Sequence, residues 1–174
     1  MRMRNVYIGL GSNIGERELA LNSAIAAIEA ELVESRSIKS LTTSNIYETE
    51  AWGMDDATPA FLNCVVCVET DLDLMALLDV LLRIESSHGR IRNNKEGYSN
   101  RTLDCDILLA GDEVINNENL QVPHSRISKR RFVLQPLCDL NPTLRIPGIE
   151  KDVSGLLEIC SEEPKVKLWD PTHT

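Results

Sequence analysis

No stretch of the chain approaches the roughly 20 consecutive apolar residues that a helix needs to cross a bilayer, so no membrane span is expected. Nor does the start read as a targeting segment. In MRMRNVYIGLG a short apolar run follows the arginines and is broken at Gly9, too short for the apolar region of a signal peptide. Positive charge is scarce: 18 Lys and Arg face 27 Asp and Glu, a formal net charge of −9. A nucleic-acid binder normally needs a basic footprint to meet the phosphates, so that class is set aside. A small basic cluster or a metal ion could still hold one triphosphate. Internal repeats, low-complexity tracts and Pro/Gly/Ser linkers are also missing. Residues 1–174 therefore read as a single domain, long enough to bury a core without staples.

The five cysteines form no convincing metal or redox motif. Cys64 and Cys67 have C-x-x-C spacing, but no second Cys/His pair follows them. They sit in the apolar run CVVC, and residues three apart on a strand face opposite ways. Buried filler in a reduced, cytoplasmic protein is the reading they support.

Hydrophobic periodicity gives the order of elements. Asn5 to Leu10 reads as a strand ended by Gly11-Ser12-Asn13, and Leu21, Ile25, Ile28 and Leu32 form one helical stripe. Ser37 to Thr49 is rich in Ser, Thr and Ile and reads as a strand. FLNCVVCVET is the clearest strand. Leu72 to Ser87 reads as a helix with Leu74, Leu77, Leu78, Leu81 and Ile84 on one face and Gly89 at its end. TLDCDILLAG is a fourth strand, and short helices are expected over Ser128–Cys138 and near Val153–Cys160. This order is the βαββαβ pattern of ferredoxin-like α+β folds. It predicts an antiparallel sheet with helices on one face, the other face free for a site, and a short C-terminal helical extension.

The segment RTLDCDILLAG carries the most chemistry. Asp104 and Asp106 are two apart, so on a strand they share a face, opposite Leu103, Cys105, Ile107 and Leu109, with Cα atoms about 6–7 Å apart. Such a pair can converge on Mg²⁺, which is typically held by one or two carboxylates plus substrate phosphates. Equally, it could be a solvated pair at a strand start. Two basic clusters flank it: Arg90, Arg92, Lys95 and Arg101 on one side, and His124, Arg126, Lys129, Arg130 and Arg131 on the other. Carboxylates for Mg²⁺ with guanidiniums for phosphates are what phosphoryl-type transfer needs. Solubilising charge is the plainer alternative for the arginines. Gly9-Leu10-Gly11-Ser12-Asn13 lacks the P-loop and dinucleotide signatures and reads as a tight turn before a helix. His124 is either a solvated loop residue or a phosphate contact. Phe61 and Asn63 share a strand face, with Leu62 and Cys64 opposite; a buried amide there could read the edge of a heterocycle.

YIGLGSNIG, YETEAWG, PAFLNCVV, RIESSHGRIR, RTLDCDILLAG and VPHSRISKRRFVLQPL, in that order, resemble the 6-hydroxymethyl-7,8-dihydropterin pyrophosphokinase family over nearly the whole chain. The resemblance implies transfer of diphosphate from ATP to the hydroxymethyl group of the reduced pterin, a step of folate synthesis, with release of AMP. It implies two Mg²⁺ ions on Asp104 and Asp106, with Arg90 and Arg101 assisting the transferring phosphate. Arg92, His124, Arg130 and Glu85 would serve ATP, Glu85 as support near the adenosine. Thr49, Trp52, Phe61, Asn63, Tyr98 and Phe132 would form the pterin site, and loops 49–60 and 88–101 would close over it. Small molecules, not nucleic acid or membrane, are the expected partners, for a monomer or homodimer. The chain departs from the family in three places: Tyr98-Ser99-Asn100 stands where an aromatic residue then Gly-Pro is common, Ser125 replaces Tyr or Pro, and Cys105 replaces Leu. A non-catalytic ferredoxin-like binding module, or another Mg-nucleotide transferase, is the competing reading.

Overall fold

The computed structural model describes residues 2–50, 58–89 and 100–173. In chain order the elements are β1 (Arg4–Ser12), α1 (Arg17–Glu34), β2 (Ile38–Thr43), β3 (Tyr47–Thr49), β4 (Phe61–Thr70), α2 (Leu74–Ser87), β5 (Asp104–Ala110), β6 (Ile115–Asn116), β7 (Gln121–Val122), α3 (Arg131–Leu140), α4 (Val153–Ile159) and β8 (Val166–Leu168). The main sheet runs β5-β1-β4-β3-β8, with β2 also on β4, and every pairing is antiparallel. Strands β6 and β7 make a separate small hairpin. Among the described residues no helix is long and apolar enough to cross a membrane.

β1 alternates along its length. Val6, Ile8 and Leu10 enter the core under α1 and α2, where they meet Leu62, Cys64, Val66 and Val68 of β4, Cys105 and Ile107 of β5, and Leu103 just before it. Leu21, Ala24, Ile28 and Leu32 supply the buried stripe of α1. α2 begins two residues later than its apolar run suggests because Asp73 caps it, accepting from the backbone N–H groups of Met75 and Ala76 at 2.9 and 3.3 Å. Gly89, at φ +76°, closes its far end as expected.

Three features differ from the sequence reading. First, Ser37–Thr49 is two strands. The Ser44 hydroxyl accepts the Val65 N–H at 2.9 Å, so a side chain replaces a ladder bond and the strand breaks there. Second, β5 bulges against β1. Tyr7 faces Leu109 but Ile8 faces Ile107, so Leu108 is an extra residue. Leu109 is thereby turned from the face of Cys105 to the opposite one, where it packs with Tyr7 and Val65. Third, the second face of the sheet is not left free. α3 and α4 pack Val133, Leu134, Leu137, Val153 and Leu156 against Tyr7, Val65, Leu108 and Leu109. They cover that face only where its side chains are large and apolar, and the end built from the latter half of β1 and the first half of β5 stays open. Cys64 and Cys67 do lie on opposite faces, as alternation requires.

Candidate active site

The open end of the second face is a cleft floored by glycine. β1 continues through Ser12, so Gly9 and Gly11 are strand residues and not part of a tight turn. Gly9 pairs with Asp106 on one side and Val65 on the other, and Gly11 likewise with Asp104 and Asn63. Directly opposed residues share a face. Each glycine therefore leaves a gap between an aspartate and a β4 side chain. A Cβ at Gly11 would come within 3.1 Å of the Asn63 amide oxygen, and one at Gly9 within 3.2 Å of the Leu108 side chain. The Gly-x-Gly alternation in YIGLGS was the available signal for this floor.

One wall of the cleft holds Asp104, Asp106 and Arg101; Arg130 and Phe132 come from the start of α3, and Thr49, Phe61 and Asn63 line the other side. Arg101 donates to the Asp104 carboxylate through Nη1. Burial, and then the Asp104 charge, push the Asp106 carboxyl up to about 6, while Arg130 and Arg101 pull it back. Among the described residues no three His, Cys, Asp or Glu gather into a complete metal cage. Two carboxylates beside two guanidiniums in one cleft form a donor set that suits Mg²⁺ arriving with phosphates.

Across the floor, the Asn63 amide donates to Thr49 Oγ1 at 3.3 Å, and both side chains are buried. Phe61 lies beside them. The Arg130 guanidinium stands 5.6 Å from the centroid of the Phe132 ring, so one residue pair joins the cationic and aromatic parts of the cleft. Two strand spacings, about 10 Å, separate the backbone at Asp104 from that at Asn63, with Gly11 between.

Other residues from the sequence reading fall elsewhere. Glu85 is buried and does not line the cleft; its Oε1 accepts the Cys105 backbone N–H at 2.8 Å, holding β5 at the residue between the two aspartates. His124 lies at the margin. Its Nδ1 accepts the Arg126 N–H at 3.1 Å, which places the ring proton on Nε2. Burial, then the charges of Arg130 and Arg126, push its pKa down to about 4. At neutral pH it offers an uncharged N–H donor and not a cation. Arg90, Arg92, Trp52 and Tyr98 lie outside the described residues.

Sequence reasoning gave Asn13 no role, yet it is buried and bonded on every side. The C-terminal strand had no reading at all. β8 pairs with β3, Val166 opposite Thr49. Trp169 then donates its indole N–H to Glu18 at 3.0 Å and lies 5.1 Å under the Arg17 guanidinium. Arg17 in turn holds Glu48 and the Ala60 carbonyl, at 2.9 and 2.7 Å.

A family model described as 7,8-dihydro-6-hydroxymethylpterin-pyrophosphokinase (HPPK) matches residues 7–142. The chain is 36% identical over 166 residues to the 2-amino-4-hydroxy-6-hydroxymethyldihydropteridine pyrophosphokinase of Haemophilus influenzae, covering 95% of this chain and 99% of that one. Proteins of the same name from Pseudomonas aeruginosa and Bacillus subtilis are 40% and 41% identical, covering 92% and 96% of this chain and 94% and 92% of theirs. A solved HPPK-DHPS structure in complex with substrates superposes with a TM-score of 0.66 at 14% identity, over 90% of this chain. A Plasmodium falciparum HPPK-DHPS structure gives 0.66 at 17%, again over 90% of this chain. The chain spans only 44% and 45% of those two solved chains, and at such identity the likeness speaks for the fold. With the family match running from β1 through α3 and relatives aligned nearly end to end, the chain belongs to the 7,8-dihydro-6-hydroxymethylpterin-pyrophosphokinase family.

Proposed function

We propose that this chain transfers a diphosphate from ATP to 6-hydroxymethyl-7,8-dihydropterin, as its family membership implies, and that the glycine-floored cleft is where it happens. The observation that carries the assignment to this cleft is the split between its two sides: an aspartate pair with arginines on one, an amide with aromatic rings on the other. The order β5-β1-β4-β2, with α1 and α2 as crossovers, supports reading the core as a ferredoxin-like unit.

The pterin lies between Phe61 and Phe132, a flat ring against aromatic faces. Asn63 reads its polar edge. Thr49 takes one amide hydrogen of Asn63, fixing which way the carbonyl oxygen points. This sets the hydroxymethyl group toward Asp104 and Asp106. Its oxygen attacks the β-phosphorus of ATP, the bond from that phosphorus to the bridging oxygen of the α-phosphate breaks, and AMP leaves with the bridging oxygen. The hydroxyl proton passes to solvent. Asp104 and Asp106 would hold Mg²⁺, two ions in this reading, which when bound would neutralise phosphate charge and acidify the attacking hydroxyl. Arg101 and Arg130 stabilise the charge that moves onto the phosphate oxygens. His124, neutral, donates through Nε2 to the nucleotide. Glu85 serves as a positioning residue, fixing the strand that carries both aspartates. Arg90, Arg92, Trp52 and Tyr98 keep the roles that the family resemblance implies for them.

The two sides should fail separately. Asn63→Ala is expected to raise the KM for pterin at least about tenfold, since the heterocycle's polar edge loses its partner, with the KM for ATP little changed. Asp106→Ala should abolish turnover while pterin still binds by calorimetry. Unaltered pterin affinity in Asn63→Ala, or near-normal turnover in Asp106→Ala, would overturn the assignment.

A further inference from the structure

Asn13 is 1% exposed, and its polar groups all point at segments bordering the cleft. Its backbone N–H donates to the Arg101 carbonyl at 3.0 Å, and its side-chain Oδ1 accepts the Arg101 N–H at 2.7 Å. Its Nδ2 donates to the Asn100 side chain at 2.9 Å and to the Pro59 carbonyl at 3.3 Å. A closed ring of two bonds therefore fixes the Arg101 backbone from both sides. The Arg101 guanidinium is then delivered to Asp104, three residues on.

We infer that Asn13 is a positioning residue for the reaction: it sets where Arg101 stands relative to the aspartate pair. The inference rests on the phosphate role given above to Arg101. Among the described residues, 100–103 belong to no strand or helix that could hold Arg101, since β5 begins only at Asp104. A long, rotamer-rich side chain hung from an unfixed backbone would spread over several ångströms. Misplacement of a catalytic group by about 1 Å can cost about 100-fold in rate. Asn13 sits just beyond the last residue of β1, so it passes the rigidity of the central sheet to Arg101. An amide is needed, because one side chain must accept from Arg101 and donate to Asn100 and Pro59 together. A serine is too short to do both, and an aspartate cannot donate.

A double-mutant cycle on steady-state AMP formation tests this, with Asn13→Ala, Arg101→Ala and the double variant, folding being checked by thermal melting. Asn13→Ala should lower kcat at least about tenfold with KM for Mg-ATP changed less than about threefold, because misplacement acts on the transition state. Added to Arg101→Ala it should cost nothing more, since the two act as one unit. Asn13→Ser replaces the alanine variant in the same cycle if that chain does not fold. Losses that multiply would overturn the inference alone, leaving the reaction in place. Unchanged turnover in Arg101→Ala would overturn the role of Arg101 and this inference with it.

Discussion

At the scale of single residues, the site depends as much on side chains left out as on those present. Gly9 and Gly11 carry no chemistry, but they open the space between the aspartates of β5 and the side chains of β4. The two are not equivalent. A methyl at Gly11 would strike the Asn63 amide oxygen, which is held in place by Thr49; a methyl at Gly9 would meet the branched end of Leu108, which can rotate away. Gly11→Ala should therefore raise the KM for pterin about tenfold or more, with Gly9→Ala within about threefold of the native enzyme. Steady-state kinetics with pterin varied at saturating ATP would show it, and equal effects of the two would argue against the contrast. The aspartate pair, Phe61 and Asn63 could be read from the sequence because period-two alternation directly fixes which residues share a strand face. Asn13 could not, since its value lies in hydrogen bonds to residues 59, 100 and 101, far away in the chain.

At the scale of elements, the longer strands were legible in identity but not in their breaks. No propensity rule places the end of β2 at a serine whose hydroxyl happens to meet Val65. The bulge in β5 is similarly a property of two strands together, and it moved Leu109 to the other face. β8 is three residues long, with two of them exposed, so no hydrophobic pattern announced it. Its importance lies in bringing Trp169 back to the start of α1. Trp169 lies under Arg17, and Arg17 grips both Glu48 and the Ala60 carbonyl, which flank the pterin side of the cleft. Trp169→Ala removes the indole bond to Glu18 and the stacked guanidinium. The loss should be about 1–3 kcal/mol, seen as a fall in Tm of several degrees, together with a higher KM for pterin. A KM unchanged alongside lowered Tm would confine the strap to stability.

At the scale of the molecule, the fold divides its two sheet faces between stability and function. One face is closed by α1 and α2 over β1, β4 and β5. The other is closed by α3 and α4 where it is apolar and left open where it is glycine and carboxylate. Global stability carries a signature of the site. The native state holds the half-buried His124 neutral down to about pH 4, whereas the unfolded chain protonates it near its ordinary 6.5. Unfolded molecules thus take up a proton that native ones refuse, and stability falls as pH drops from about 6.5 to 4. Asp106 acts with the opposite sign, its carboxyl pushed up to about 6, so native molecules bind that proton first. Comparison of variants separates them. His124→Asn, whose amide oxygen can still accept the Arg126 N–H, should be more stable than the native chain by about 1–2 kcal/mol near pH 4, allowing for solvent screening. The difference should shrink toward zero above pH 7. Parallel denaturation curves from pH 4 to 7 would contradict it.

In the proposed reaction this cleft moves two phosphoryl groups as one unit from ATP to a pterin alcohol. Nucleotide product analysis with Mg-ATP and 6-hydroxymethyl-7,8-dihydropterin tests it most directly. One AMP per pterin consumed is expected, with none formed without pterin and none once Mg²⁺ is removed by chelation. ADP as the product, or binding of pterin without any nucleotide turnover, would contradict it.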